Sequence, residues 1–234
     1  MAITRVGTES DGDSSAIGAT TISFSHTTPV GATLLLLAVH MQGDESIDTT
    51  PTFDGDNFTL IHDSGVQTGG DQRAWLYGFV SPAAKTATIA ATTSGHDFHG
   101  AAAVNFAGTK TASVAAATNF LSADVNTVNG TTNVHASAGS AGNALIVTAG
   151  WRGGDITPST VDNSFAEIYD RATGASASAD TSHTMSELLN AAPSAVTITM
   201  GGSDQNSGIL IELVAASEGI APQAVYHYQN EGYF

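Results

Sequence analysis

The chain has 234 residues, enough for one large β domain or two small ones, and a fold of that size buries roughly 70–75% of its unfolded surface without needing staples. It contains no cysteine, which removes disulfide scaffolds, thiolate metal sites and cysteine nucleophiles. Six Lys and Arg stand against 22 Asp and Glu, and the resulting charge of -16 repels phosphate backbones and anionic membranes, so neither nucleic acid nor membrane is an expected partner.

Met1 to Val6 shows no charged-then-apolar leader, and the longest apolar run, Leu34–Val39, is too short to cross a bilayer, so synthesis in a cytoplasm without a signal peptide is expected. Turn residues then recur about every 8–12 positions, the spacing of an all-β sandwich or barrel. In the first half the pattern predicts strands at Thr21–Thr27, Thr33–Met41, Thr52–Phe53, Phe58–His62, Arg73–Val80, Thr86–Ala91 and Gly100–Ala107. Ile22-Ser-Phe-Ser-His26 alternates apolar and polar, as a half-buried strand does. Leu34–Val39 is apolar at both parities, so it should be covered on both faces. Asp54-Gly-Asp-Asn57 reads as a tight hairpin turn. Residues 109–129 read as a connector, with a strand near Ser113–Ala117. The second half predicts strands at Thr131–Ser137, Ala144–Trp151, Ser164–Tyr169, Ser176–Thr184, Ala195–Met200 and Gly208–Ala215, and Met185–Ala192 is the one stretch open to a short helix.

The second half repeats the first at an offset of about 110 residues, too long for a solenoid unit. Gly31, Leu34, Ala38, Gly43 and Asp44 match Gly142, Leu145, Ala149, Gly154 and Asp155; Phe58, Ile61 and Asp63 match Phe165, Ile168 and Asp170. The expected fold is therefore an all-β, duplicated antiparallel β-sandwich, jelly-roll-like, with residues 1–110 as the first repeat and 111–216 as the second. Residues 217–234 change character and carry four of the sixteen aromatics within their last nine positions. They read either as a tail packed on its own sandwich or as a C-terminal arm that docks on a neighbour through Tyr226, Tyr228, Tyr233 and Phe234.

No catalytic constellation emerges. His96 and His99 flank Asp97-Phe98, but positions three apart on a strand face opposite ways. The alignment places His40 where the second half has Trp151, and His62 where it has Tyr169, as packing or rim positions. Nucleophile elbows, paired carboxylates of glycoside hydrolases and phosphate-binding loops are missing, and the chain is expected not to be an enzyme. Asp11-Gly-Asp13 and Asp54-Gly-Asp-Asn57 put several oxygens in tight loops, the chemistry that calcium favours; both are better read as turns, as are Asp44 and Asp155, and no cofactor or metal site is expected. Trp75, Tyr77 and Trp151 are candidates for sugar stacking, although Trp75 and Tyr77 share a strand face and should line the core.

The ordered elements Ile22-Ser-Phe-Ser-His26, Leu34-Leu-Leu-Leu-Ala-Val39, Phe53-Asp-Gly-Asp-Asn-Phe-Thr-Leu60, Trp75-Leu-Tyr-Gly-Phe-Val-Ser-Pro-Ala-Ala84, Thr86-Ala-Thr-Ile89 and Ala103-Val-Asn-Phe-Ala-Gly108 resemble a β-sandwich pattern of virion proteins of tailed bacteriophages. The resemblance spans about residues 14–215 and rests on core strands and turns. It implies a place on the virion, as a capsid decoration, head-fibre or tail-fibre module. The expected partners are the major capsid protein or another virion protein, and further copies of the chain, with a trimer favoured. The alternative it leaves is a glycan- or receptor-binding adhesion module of the tail.

Overall fold

The computed structural model describes residues 1–13, 20–42, 46–65, 72–94, 99–136, 139–152, 159–162, 164–172, 181–189 and 195–217. In chain order the elements are β1 (Thr4–Asp13), β2 (Thr21–Thr28), β3 (Leu34–Gln42), β4 (Thr52–Phe53), β5 (Asp56–Asn57), β6 (Thr59–Asp63), β7 (Gln72–Val80), β8 (Lys85–Thr92), β9 (His99–Ala107), α1 (Val114–Ala117), β10 (Thr118–Ala136), β11 (Ala144–Arg152), β12 (Ser159–Val161), β13 (Ala166–Ala172), β14 (Thr181–Leu189) and β15 (Ala195–Leu213). The protein is all-β, and every strand pairing is antiparallel.

Three sheets stack through side-chain parity. The first inner sheet has the order β1-β9-β3-β7-β6, an outer sheet has β2-β8-β4-β5, and the second half forms one bent sheet, β10-β15-β11-β14-β13 with β12 beside β15. Successive residues of a strand face opposite ways, so β3 divides its apolar run between two cores. Leu35, Leu37, Val39 and Met41 pack towards the outer sheet with Ile22, Phe53, Trp75 and Ile89. Leu34, Leu36 and Ala38 instead meet Ala144, Ile146, Ile209 and Ile211 of the second half. β11 does the same in mirror fashion, sending Leu145, Val147, Ala149 and Trp151 against Val196, Ile198 and Met200 at the far end of the bent sheet. All nine residues of β3 are buried, as a strand apolar at both parities requires.

The two five-strand paths share one order: β1, β9, β3, β7 and β6 of the first half take the places of β10, β15, β11, β14 and β13 of the second. Each also has its edge-strand bulge in the same place, between Leu60 and His62 in β6 and between Glu167 and Tyr169 in β13. His62 and Tyr169 thus occupy matching positions. His40 and Trp151 do not. Gly31 (φ 88°) and Gly142 (φ 87°) sit in matching turns, closed by Ala32 N–H to Pro29 O and Asn143 N–H to Ser140 O. Strand β3 begins three residues after its glycine and β11 only two after, so the ladder sets Leu34 against the place of Ala144. An alignment anchored on the glycines is therefore one residue out of step along these strands, which exchanges the faces. His40 lies in the interface between halves, and Trp151 in the second half's own core.

Other expectations change as well. Met185 to Leu189 belongs to strand β14, because its ladders with β11 and β13 outweigh local helix propensity. The only helix among the described residues is α1, within the stretch read as a strand; Ser113 caps it by accepting from the Ala116 N–H at 3.1 Å. The supposed connector from residue 118 onward is the first part of β10, and the segments read as separate strands 195–200 and 208–215 belong largely to the continuous β15.

Candidate functional site

The interface between halves is apolar along most of its length and polar at one end. There His40 on β3, Gln72 on β7, Thr148 on β11 and His183 on β14 are all buried. Glycines make room for the rings: a Cβ at Gly150 would lie 2.6 Å from His40 Nδ1 and 2.7 Å from Gln72 Nε2, and one at Gly100 would strike the His183 ring. The His40 and His183 rings lie 5.9 Å apart, with Tyr169 5.3 Å from His183. Thr148 Oγ1 donates to the Thr184 carbonyl at 2.8 Å, so His40 Nε2–H must be the donor in its 2.8 Å bond to Thr148 Oγ1. Burial, reinforced by His183, holds the His40 pKa well below its usual value, and the ring is neutral.

Each half also holds a Ser–His pair. Ser10 and Ser122 are each the first paired residue after a bulge. Ser10 Oγ meets His26 Nδ1 at 3.0 Å, and Ser122 Oγ meets His135 Nδ1 at 3.2 Å. In the first half, Asn105 Nδ2 donates to both the Thr27 carbonyl and His26 Nε2, at 3.2 and 2.8 Å. That leaves the proton on Nδ1, so His26 donates to Ser10 and cannot take its proton. The pair positions strands and does not activate a nucleophile. Burial lowers both histidine pKa values, that of His135 to about 4.

The residues singled out from the sequence are scattered. Tyr226, Tyr228, Tyr233, Phe234, His96, Asp97, Asp44 and Asp155 lie outside the described residues. His99 is buried on β9. Within the Asp54–Asn57 stretch read as a turn, Asp54 and Gly55 (φ 55° and 87°) form a two-residue hairpin turn and Asp56–Asn57 is strand β5; Asp54 is paired with Lys85. Asp11 pairs with Arg171 at 3.4 Å. Among the described residues no three His, Asp or Glu side chains converge as metal ligands. Trp75, Tyr77 and Trp151 are all core residues, so none offers a face to a sugar. Gln72, His183 and the two Ser–His pairs escaped sequence reasoning; the only trace of the latter is a histidine inside each alternating strand.

A groove of about 800 Å³ crosses the outer sheet of the first half, walled by Thr21, Ser23, Thr50, Thr52 and Asn57, with no charged residue among its lining. A smaller cleft of about 290 Å³ lies between β6 and the α1–β10 corner, flanked by Leu60 and Phe120. No known family profile matches the chain. No curated protein matches it either.

Proposed function

We propose that the chain is a non-enzymatic structural protein of a tailed-phage particle, a decoration or capsid-stabilising protein that binds the shell or neighbouring subunits through its terminal segments. On this reading its two halves are diverged copies of one β-sandwich unit. The observation that carries it is the commitment of these polar side chains to internal structure: both Ser–His pairs and the His40–Thr148 contact tie strands of the described body together, while the aromatic residues of the C-terminal sequence have the composition of a contact segment. The resemblance to phage virion proteins and the net acidic charge of the chain support the same role. Removing residues 217–234 should leave the β body folded and abolish binding to particles, read by co-sedimentation with purified virions. Normal coating by the truncated chain would end the proposal.

The second reading is a glycan-binding tail module, favoured by the hydroxyl- and amide-walled groove on the outer sheet. A neutral glycan array separates the two, as does copy number: hundreds per virion for decoration, a handful for adhesion.

A further inference from the structure

We propose that the cleft between β6 and the α1–β10 corner receives the aromatic C-terminal segment of a second copy of this chain. The inference deepens the reading above, on which it rests for the arm's role, by naming the arm's receptor.

The cleft is built by both halves. Ile61 of β6 and Val114 of α1 form its floor, and Gly78 lets Val114 in, since a Cβ there would lie 2.8 Å from Val114 Cγ1. Leu60 and Phe120 stand on its rim, exposed by 49% and 44%, so no described residue covers them. The Phe120 ring is fixed in that position by stacking on His62, with centroids 3.7 Å apart and planes 16° apart. Burial lowers the pKa of His62, which favours the neutral ring under Phe120. The lining carries no charge, although the chain as a whole is at -16, so it is a place where two like-charged copies can touch. Paired exposed hydrophobes around a preformed cavity are the mark of a contact surface.

The C-terminal segment has the complementary chemistry. Val214 N–H donates to the Ala117 carbonyl at 2.8 Å, so the chain leaves β15 beside α1, near the cleft. Seventeen residues follow Ser217, enough to span roughly 55–60 Å if extended. Residues 219–230 contain no Asp, Glu, Lys or Arg, and Tyr226 and Tyr228 are spaced to share one face of an extended strand. β6 is the end strand of its sheet, an edge that an extended segment can join while a tyrosine enters the cavity. Reciprocal exchange of such arms closes a symmetric oligomer.

The test uses the full-length chain in sedimentation velocity over a wide concentration range. Wild type should self-associate, and Phe120→Ser or the double change Tyr226→Ser with Tyr228→Ser should each weaken association roughly tenfold or more, with unchanged circular dichroism. Mixing the cleft variant with the arm variant should restore part of the association, because one intact contact re-forms; loss of fold would give no such rescue. A photo-crosslinker at Leu60 should label the C-terminal peptide in covalent dimers. A strictly monomeric wild type, an oligomer indifferent to both variants, or crosslinks confined to monomers would overturn the proposal. No particle is needed, so failure here is separable from failure of the virion reading, which co-sedimentation decides.

Discussion

The two halves close the same strand order in different ways. In the first, the strands of the inner and outer sheets are separate: β1 and β2 are distinct strands, as are β8 and β9, and side-chain packing with the hydrogen bonds around His26 holds the layers together. In the second, β10 and β15 each run 19 residues through both layers, so the outer layer is tethered to the inner one by continuous backbone. The bend falls where the register shifts around Gly130, opposite the glycine-bearing stretch that follows Met200. Glycines and bulges let a ladder turn a corner without surrendering its hydrogen bonds on either side. A layer held by side-chain contacts should come loose when its core is cut, and a layer held by main chain should not.

Phe53 and Trp151 test that difference, with the largest effects expected. Phe53 anchors the outer sheet of the first half and is 1% exposed; Trp151 fills the second half's core and is fully buried. Either change to Ala should cost about 3–5 kcal/mol in urea unfolding. The two should differ in hydrogen exchange. Phe53→Ala should strip protection from β2 and β8 ahead of global unfolding, whereas Trp151→Ala should leave β10 and β15 protected up to the global transition. Equal behaviour of the two outer layers would break the comparison.

Much of this contrast was hidden in the sequence for physical reasons. The double-sided burial of β3 was legible because its apolar run covers both parities, and the Asp54-Gly55 hairpin because that dipeptide suits two positive φ angles. The continuity of β10 was not legible. Asn126 and Gly130 look like loop residues, and only pairing with β15 holds them in a ladder. The glycine-anchored alignment gives His40 the wrong face because a turn one residue shorter after Gly142 shifts the phase of everything downstream in β11. The polar end of the interface joins His40 to Thr148 and His183, partners from distant strands that no local spacing announces.

Acid offers a second probe. His26 has both ring nitrogens engaged, whereas His135 Nε2 has no protein hydrogen-bond partner among the described residues. A histidine with a depressed folded pKa binds fewer protons in the native state than in the unfolded one, so its stabilising effect is complete above about pH 6.5 and is lost as pH falls towards the folded value. With the His135 pKa near 4, stability should drop by about 2 kcal/mol between pH 6.5 and 5 from this group, and His26 and His40 add losses in the same direction. His135→Asn should flatten the urea midpoint's pH dependence in this window. An unaltered slope would show that His135 is reached by water in the native state.

The smallest effect belongs to the hairpin of the first half. Lys85 and Asp54 form an ion pair with side chains 37% and 53% exposed, so Lys85→Ala should cost less than about 1 kcal/mol, and high salt should erase that difference. Asp54→Ala loses the same pair but also puts an alanine at φ 55°, a conformation that costs an L residue with an apolar side chain roughly 1–2 kcal/mol. Its destabilisation should therefore exceed that of Lys85→Ala and survive high salt. If both vanish together as salt rises, the turn is held by charge and not by the backbone preference of Asp54-Gly55, and the outer sheet of the first half is weaker at its edge than its packing implies.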